Sequence, residues 1–124
     1  MNWIVIGGVW GCIGVALGAL GAHQLKETLG AEQLEWWSTA ALYHLLHAPA
    51  IALAGLVQIS RGRGGAAGWA LFIGSLVFSG TLYALALGAP SWLGAITPIG
   101  GLGLMAGWVL LALAGRSRPD GARR

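Results

Sequence analysis

Charge is what this chain has least of. Only 9% of its 124 residues are Asp, Glu, Lys or Arg, where a water-soluble domain carries about 25%. A chain so poor in charge and 56% hydrophobic does not fold with water as its main solvent. The formal net charge of +3 is small, and no stretch interleaves basic and aromatic residues in the way that neutralises and stacks a nucleic acid strand, so no nucleic-acid partner is expected. Cysteine is nearly absent too. Cys12 stands alone in an apolar run, which excludes an internal disulfide and leaves a small hydrophobe. A carboxylate pair, a phosphate loop and a nucleophile elbow are all missing. Ser79 in FSGTL has no elbow around it. The chain is expected to be no enzyme and to carry no cofactor.

What is there is long apolar runs. Crossing about 30 Å of hydrocarbon takes about 20 mostly apolar helical residues. Four segments qualify, at about 3–22, 37–59, 66–88 and 93–115, and every charged residue falls outside them. The runs are too long for strands and lack alternation of period two. The expected fold is all-α, an integral membrane four-helix bundle forming a single domain over 1–115, with a flexible basic tail at 116–124. The small residues ALGA before His23 suit a signal peptidase, but no Lys or Arg precedes the run, so the first run is expected to stay as a span.

Arginine sets the orientation. Arg61 and Arg63 lie between the second and third runs, and Arg116, Arg118, Arg123 and Arg124 follow the fourth. The other side has Lys26 beside Glu27, Glu32 and Glu35. Cytoplasmic loops collect Lys and Arg, so both termini are expected in the cytoplasm, with the protein multi-pass in the cell (inner) membrane. Trp3 and Trp69 would then sit at the inner interface, Trp36, Trp37 and Trp92 at the outer one, and Trp10 and Trp108 deeper. The connector at 23–36 carries Leu25, Leu29 and Leu34 among polar residues, with Gly30 as a break. It reads as two short amphipathic turns on the outer surface.

Gly7, Gly11, Gly14, Gly18 and Gly21 form one stripe along the first helix. Helices in lipid associate through close packing, because lipid tails are as apolar as leucine, and a stripe without side chains lets another backbone approach. Gly103 and Gly107 offer a similar notch on the fourth helix. The stripe predicts that the first helix lies at the bundle centre or at a subunit seam, in a homo-oligomer or larger assembly.

The polar residues inside the runs gather in the outer half. His44 is seven residues past Trp37, about 10 Å deep at 1.5 Å per residue. His47 is near the midplane. Ser79, Thr81, Tyr83 and Thr97 occupy the same zone, with Tyr43 beside His44 and His23 ending the first run. Polar groups in a bilayer need partners and are functional suspects. Three readings stand open. One is a hydrogen-bonded knot between helices. Another is a pocket for a lipid headgroup, a quinone-like molecule or a small solute. The third is a metal or haem site on His23, His44 and His47, although an i,i+3 pair differs from the i,i+4 pair of zinc-binding helices. Pro49 removes the amide that would bond the Leu45 carbonyl and predicts a kink. Thr97-Pro98 reads either as an N-cap followed by the first helical residue, leaving amides at that helix start for an anionic group, or as a kink at Pro98 in a straight helix from Leu93.

The motifs GALGAH (18–23), YHLLHA (43–48), FSGTLYALAL (78–87) and GAITPIGGL (94–102), in this order, resemble the YgdD-like family of small four-helix membrane proteins of bacteria. The resemblance covers about 3–114 and includes the amphipathic EQLEWWSTA between the first two motifs. It implies four spans and an inner-membrane location. It brings no catalytic residues, and its motif positions include His23, Tyr43, His44, His47, Ser79, Tyr83, Thr97 and Pro98. The function expected is a structural, interaction or assembly component of the cytoplasmic membrane, with a binding protein for a lipid-like or small ligand as the alternative.

Overall fold

The computed structural model describes residues 1–116; Arg118, Arg123 and Arg124, part of the expected basic tail, lie outside them. The described residues fold into five α-helices and no strand: α1 (Trp3–His23), α2 (Leu25–Thr28), α3 (Ala31–Arg61), α4 (Gly65–Ala86) and α5 (Thr97–Gly115), with a 3₁₀ turn over Ser91–Ala95 before α5. Four stretches are long and apolar enough to cross a membrane: α1, α3, α4 and the 3₁₀ turn together with α5.

Local chemistry sets the ends. The Asn2 side chain accepts from the Val5 amide at 3.2 Å and caps α1. Gly30 precedes α3, which therefore starts at Ala31, six residues before the apolar run. The connector thus has one amphipathic turn of its own, α2, while the second is fused to the span. At 31 residues α3 is about 46 Å long and must stand proud of the hydrocarbon. It stays helical across Pro49 and ends where Gly62 adopts φ 70° and returns its amide to the Gln58 carbonyl.

The spans pack in sequence, α1 along α3, α3 along α4 and α4 along α5, with α3 only brushing α5. In cross-section α3 and α4 form the short diagonal, and α1 and α5 stand at opposite corners. This corrects the expectation of a central α1. The stripe on α1 faces α3, within the chain. Gly21 lies on the Trp37 indole, Gly14 on Leu45 and His44, and Gly11 on Ala48. A β-carbon at Gly7 would sit 2.7 Å from the Ala52 amide nitrogen and 2.8 Å from the Ala48 carbonyl oxygen. Gly18 is looser, 3.9 Å from Ala41 and Leu45. The α4–α5 seam has the same construction. Gly74 and Gly100 bring the two backbones together, Gly103 packs on Gly74, and Gly107 receives Leu71.

Two tryptophans also depart from expectation. Trp3 and Trp37 turn inward and are 1% and 3% exposed. The physical reason is the glycines opposite: the Trp3 ring lies against Gly68 and its Cβ against Gly55, and the Trp37 ring lies against Gly21. Trp69 and Trp92 do present their rings outward. Below the polar zone the core is apolar. Trp3, Ala50, Ile51 and Leu71 form one cluster, with Trp10 and Phe72 packed on it, and Ala54, Ala67 and Leu111 form another.

Candidate functional site

His44 is completely buried where α1, α3 and α4 meet. Its Nε2 lies 2.8 Å from the Trp10 carbonyl oxygen and its Nδ1 lies 3.0 Å from the Tyr83 hydroxyl. A carbonyl only accepts, so Nε2 carries the proton and donates. In the neutral ring Nδ1 then accepts from the Tyr83 O–H. The Trp10 ring covers the imidazole, with centroids 4.0 Å apart, and the Trp10 indole N–H donates to Ser75 Oγ at 2.9 Å.

His47 is 5% exposed and has the opposite tautomer. Its Nδ1–H donates to the Tyr43 carbonyl at 2.7 Å, and its Nε2 accepts from the Trp108 indole N–H at 2.9 Å. An indole N–H can only donate, so both nitrogens of this ring are assigned. The two histidines share the buried side of α3 but serve different neighbours. Three residues advance a helix by about 300°, and the resulting offset of about 60° turns His44 toward α1 and α4 and His47 toward α5.

The rest of the zone continues the pattern. Ser79 Oγ donates to the Ala40 carbonyl at 2.8 Å, and the Trp37 indole N–H donates to the Leu17 carbonyl at 2.8 Å. Thr81 Oγ1 reaches the Val77 carbonyl at 2.8 Å and Thr97 Oγ1 at 2.6 Å. Every pair of packed spans is therefore tied by at least one side-chain hydrogen bond at this level. Polar side chains bond across helices in this way where no water is available.

The structure joins Tyr43, His44, His47, Ser79, Thr81, Tyr83 and Thr97 in this one region, but not His23. His23 is exposed at the end of α1. No three His, Cys, Asp or Glu side chains among the described residues are grouped to hold a metal. The lone pairs on the two buried rings are directed at Tyr83 and Trp108, on different helices. Thr97 does not cap α5. Ile96 is helical in backbone, so the 3₁₀ turn runs straight into α5 with Thr97 as its first residue, and the Thr97 hydroxyl is left for Thr81. The Ile99 and Gly100 amides donate to the Ile96 carbonyl, which removes the expected anion seat. Sequence reasoning missed Ser75, Trp10 and Trp108 as members of the network. Their signal was depth: each lies well inside an apolar run with one N–H or O–H to satisfy.

Tyr43 is 38% exposed. Its ring is parallel to His47 and packs on Phe78. With Trp108, Pro98 and Gly101 these rings line a groove of about 560 Å³ on the outer surface between α3 and α5.

The family described as a protein of unknown function, DUF423, matches residues 17–101, more than half of the chain, with Trp10 and Trp108 outside the matched residues. The chain belongs to the DUF423 family. This DUF423 chain is 37% identical over 115 residues to the UPF0382 membrane protein YwdK of Bacillus subtilis, covering 90% of this chain and 94% of the relative. It is 38% identical over 112 residues to the UPF0382 inner membrane protein YgdD of Escherichia coli K12, covering 87% and 84%. A UPF0382 membrane protein of Staphylococcus epidermidis is 38% identical over 113 residues, covering 90% and 93%. No solved structure matches. The YgdD-like resemblance and the membrane bundle read from the sequence are borne out, and the role of the DUF423 family is unknown.

Proposed function

We propose that this DUF423 protein is a non-catalytic structural or assembly component of the cytoplasmic membrane, with both termini in the cytoplasm. One observation carries the reading: all four ring nitrogens of His44 and His47 are engaged within the chain. That leaves the histidines no lone pair or proton for a substrate, and their bonds join α3 to α1, α4 and α5. The orientation rests on Arg61, Arg63 and Arg116 at one end of the bundle and Lys26 at the other, together with the even number of spans and the collection of arginine on the cytoplasmic side. Self-association, or assembly with another membrane protein, would use the outer faces of α1 and α5, because the glycine stripes are occupied within the chain. Only 17% of the span window of α1 is buried, against 50% for α3, so α1 has the surface to give.

The groove beside Tyr43, His47 and Trp108 favours a second reading, a binding protein for a lipid-like ligand. Its volume is within the range of about 300–1,000 Å³ typical of ligand sites. Native mass spectrometry of the protein released gently from its membrane separates the two. For the structural reading, the wild type and His44→Ala both fly without a stoichiometric small molecule, and His44→Ala unfolds at lower temperature. A retained mass that His47→Ala or Trp108→Phe removes would sink it and put the groove in its place.

A further inference from the structure

The seam between α1 and α3 does not close evenly. A β-carbon at Gly7 or Gly14 would come within 2.9 Å of α3 atoms, and one at Gly21 would press on the Trp37 ring. At Gly18 the nearest atoms, of Ala41 and Leu45, are 3.9 Å away. The slack opens into a groove of about 420 Å³ between the two helices, within the range of about 300–1,000 Å³ typical of ligand sites. Gly18, Trp37, Ala41 and Leu45 line its apolar part, and Lys26 of α2 and Ser38 of α3 line its polar end. From Ser38 to Leu45 it runs about 10 Å along α3. It is distinct from the groove between α3 and α5 that holds Tyr43 and Trp108.

An apolar slot with one polar end has the shape of a site for an amphiphile. The polar end lies at headgroup level. Trp92, 63% exposed, stands at the same end of the bundle in the turn before α5, and exposed tryptophans settle at the headgroup boundary. The Lys26 ammonium and the Ser38 hydroxyl are exposed, and neither bonds to another of the described residues. Both can donate to a phosphate oxygen. Glu35 is placed to follow them. It lies seven residues before Leu42, which also lines the groove. Seven residues advance a helix by about 700°, so Glu35 shares the face of Leu42 within about 20° and stands about 4.5 Å farther out than Ser38. Donors below and a carboxylate above match the phosphate and the terminal ammonium of a zwitterionic headgroup. Lys26 stands among Glu27, Glu32 and Glu35 at this end, so the carboxylates oppose a headgroup of net negative charge.

We infer that the α1–α3 groove binds a zwitterionic phospholipid with a primary ammonium, of the phosphatidylethanolamine class. One acyl chain lies against Gly18, Ala41 and Leu45, the phosphate accepts from Lys26 and Ser38, and the ammonium donates to Glu35. A primary ammonium has three N–H donors, as that of lysine has, and bonds between ionised groups are about twice as strong as neutral ones. The fully methylated ammonium of phosphatidylcholine has no N–H to give. The site goes beyond the structural role proposed above and does not depend on it.

The test is thermal unfolding of the full chain in a neutral detergent, with added phosphatidylethanolamine, phosphatidylcholine or phosphatidylglycerol of one acyl composition. Phosphatidylethanolamine is expected to raise the unfolding temperature by at least about 3 °C over each of the others. Lys26→Gln should remove most of that rise, and Glu35→Gln should bring phosphatidylethanolamine down to the level of phosphatidylcholine. Both residues are exposed, so neither change disturbs packing. Gly18→Leu, whose side chain would fill the groove, should abolish the difference. Should it fail to fold, the two exposed variants carry the test. Equal effects of the three lipids, a larger rise with phosphatidylglycerol, or a preference that survives intact in Lys26→Gln or Glu35→Gln would overturn the proposal. So would a Gly18→Leu chain that turns from dimer to monomer in the same detergent and keeps the preference, which would give the groove to a second copy of the chain.

Discussion

The Trp108 indole and the His47 ring form the simplest unit of the polar network, because each atom in the bond has one possible role. Trp108→Phe keeps the ring and removes the N–H, leaving His47 Nε2 without its donor. Hydrogen bonds between membrane helices are worth about 0.6 kcal/mol on average and at most about 1.7, so a loss in that range is expected. A double-mutant cycle of Trp108→Phe with His47→Ala, read by reversible unfolding in lipid micelles, should return a coupling energy of about that size. A coupling near zero would show that the two side chains touch without depending on each other. That a polar zone exists was legible from depth alone, since His44, His47, Ser79, Tyr83 and Thr97 share one level in three apolar runs. The partners were not legible. The Trp10 and Leu17 carbonyls and Ser75 Oγ became acceptors through the way α1 rests on α3 and α4, which no spacing within one helix specifies. His23 looked equivalent to the other histidines for the same reason: sequence position gives its depth, and only packing gives its direction.

At the scale of the helix, the glycines of α1 are not interchangeable. Gly7 faces backbone atoms of α3, Gly11 faces only the Ala48 methyl at 3.4 Å, and Gly8 faces open space. Gly7→Ala should therefore force α1 away from α3 and destabilise by about 1–3 kcal/mol, the usual range for overpacking. Gly11→Ala and Gly8→Ala should be neutral or stabilising by up to about 1 kcal/mol through helix propensity. Unfolding of the three variants under one set of conditions decides it, and a Gly8 effect as large as the Gly7 effect would move the main packing face of α1 away from α3. The stripe itself was visible in the sequence as a run of four- and three-residue spacings. Its partner was not, because a glycine stripe says that a backbone comes close without saying whose. The α4–α5 seam was half visible: Gly103 and Gly107 marked the α5 side, while Gly74, which meets Gly100 and Gly103 from α4, has no periodic glycine beside it to show it.

The whole molecule is polarised along its axis. Arg61, Arg63 and Arg116 stand at one end and Lys26, Glu27, Glu32 and Glu35 at the other, while the side-chain bonds between spans gather from the midplane toward the acidic end. The apolar clusters around Trp3, Ile51, Leu71 and Leu111 lie toward the arginine end. On the proposed orientation, insertion and cohesion draw on different parts of the chain: the arginines would set which way the bundle enters, and the polar network and glycine seams hold the spans together. Removing part of the network should loosen the bundle without turning it over. Accessibility of introduced thiols tests this in a Cys12→Ser background. Glu32→Cys should react with a membrane-impermeant thiol reagent added to intact spheroplasts, and Ser60→Cys only after permeabilisation. His44→Ala in the same backgrounds should leave both patterns unchanged while lowering the unfolding temperature. If Ser60→Cys reacted from outside, the proposed orientation would be wrong. If His44→Ala mixed the two patterns, the network would be part of topogenesis rather than only of cohesion.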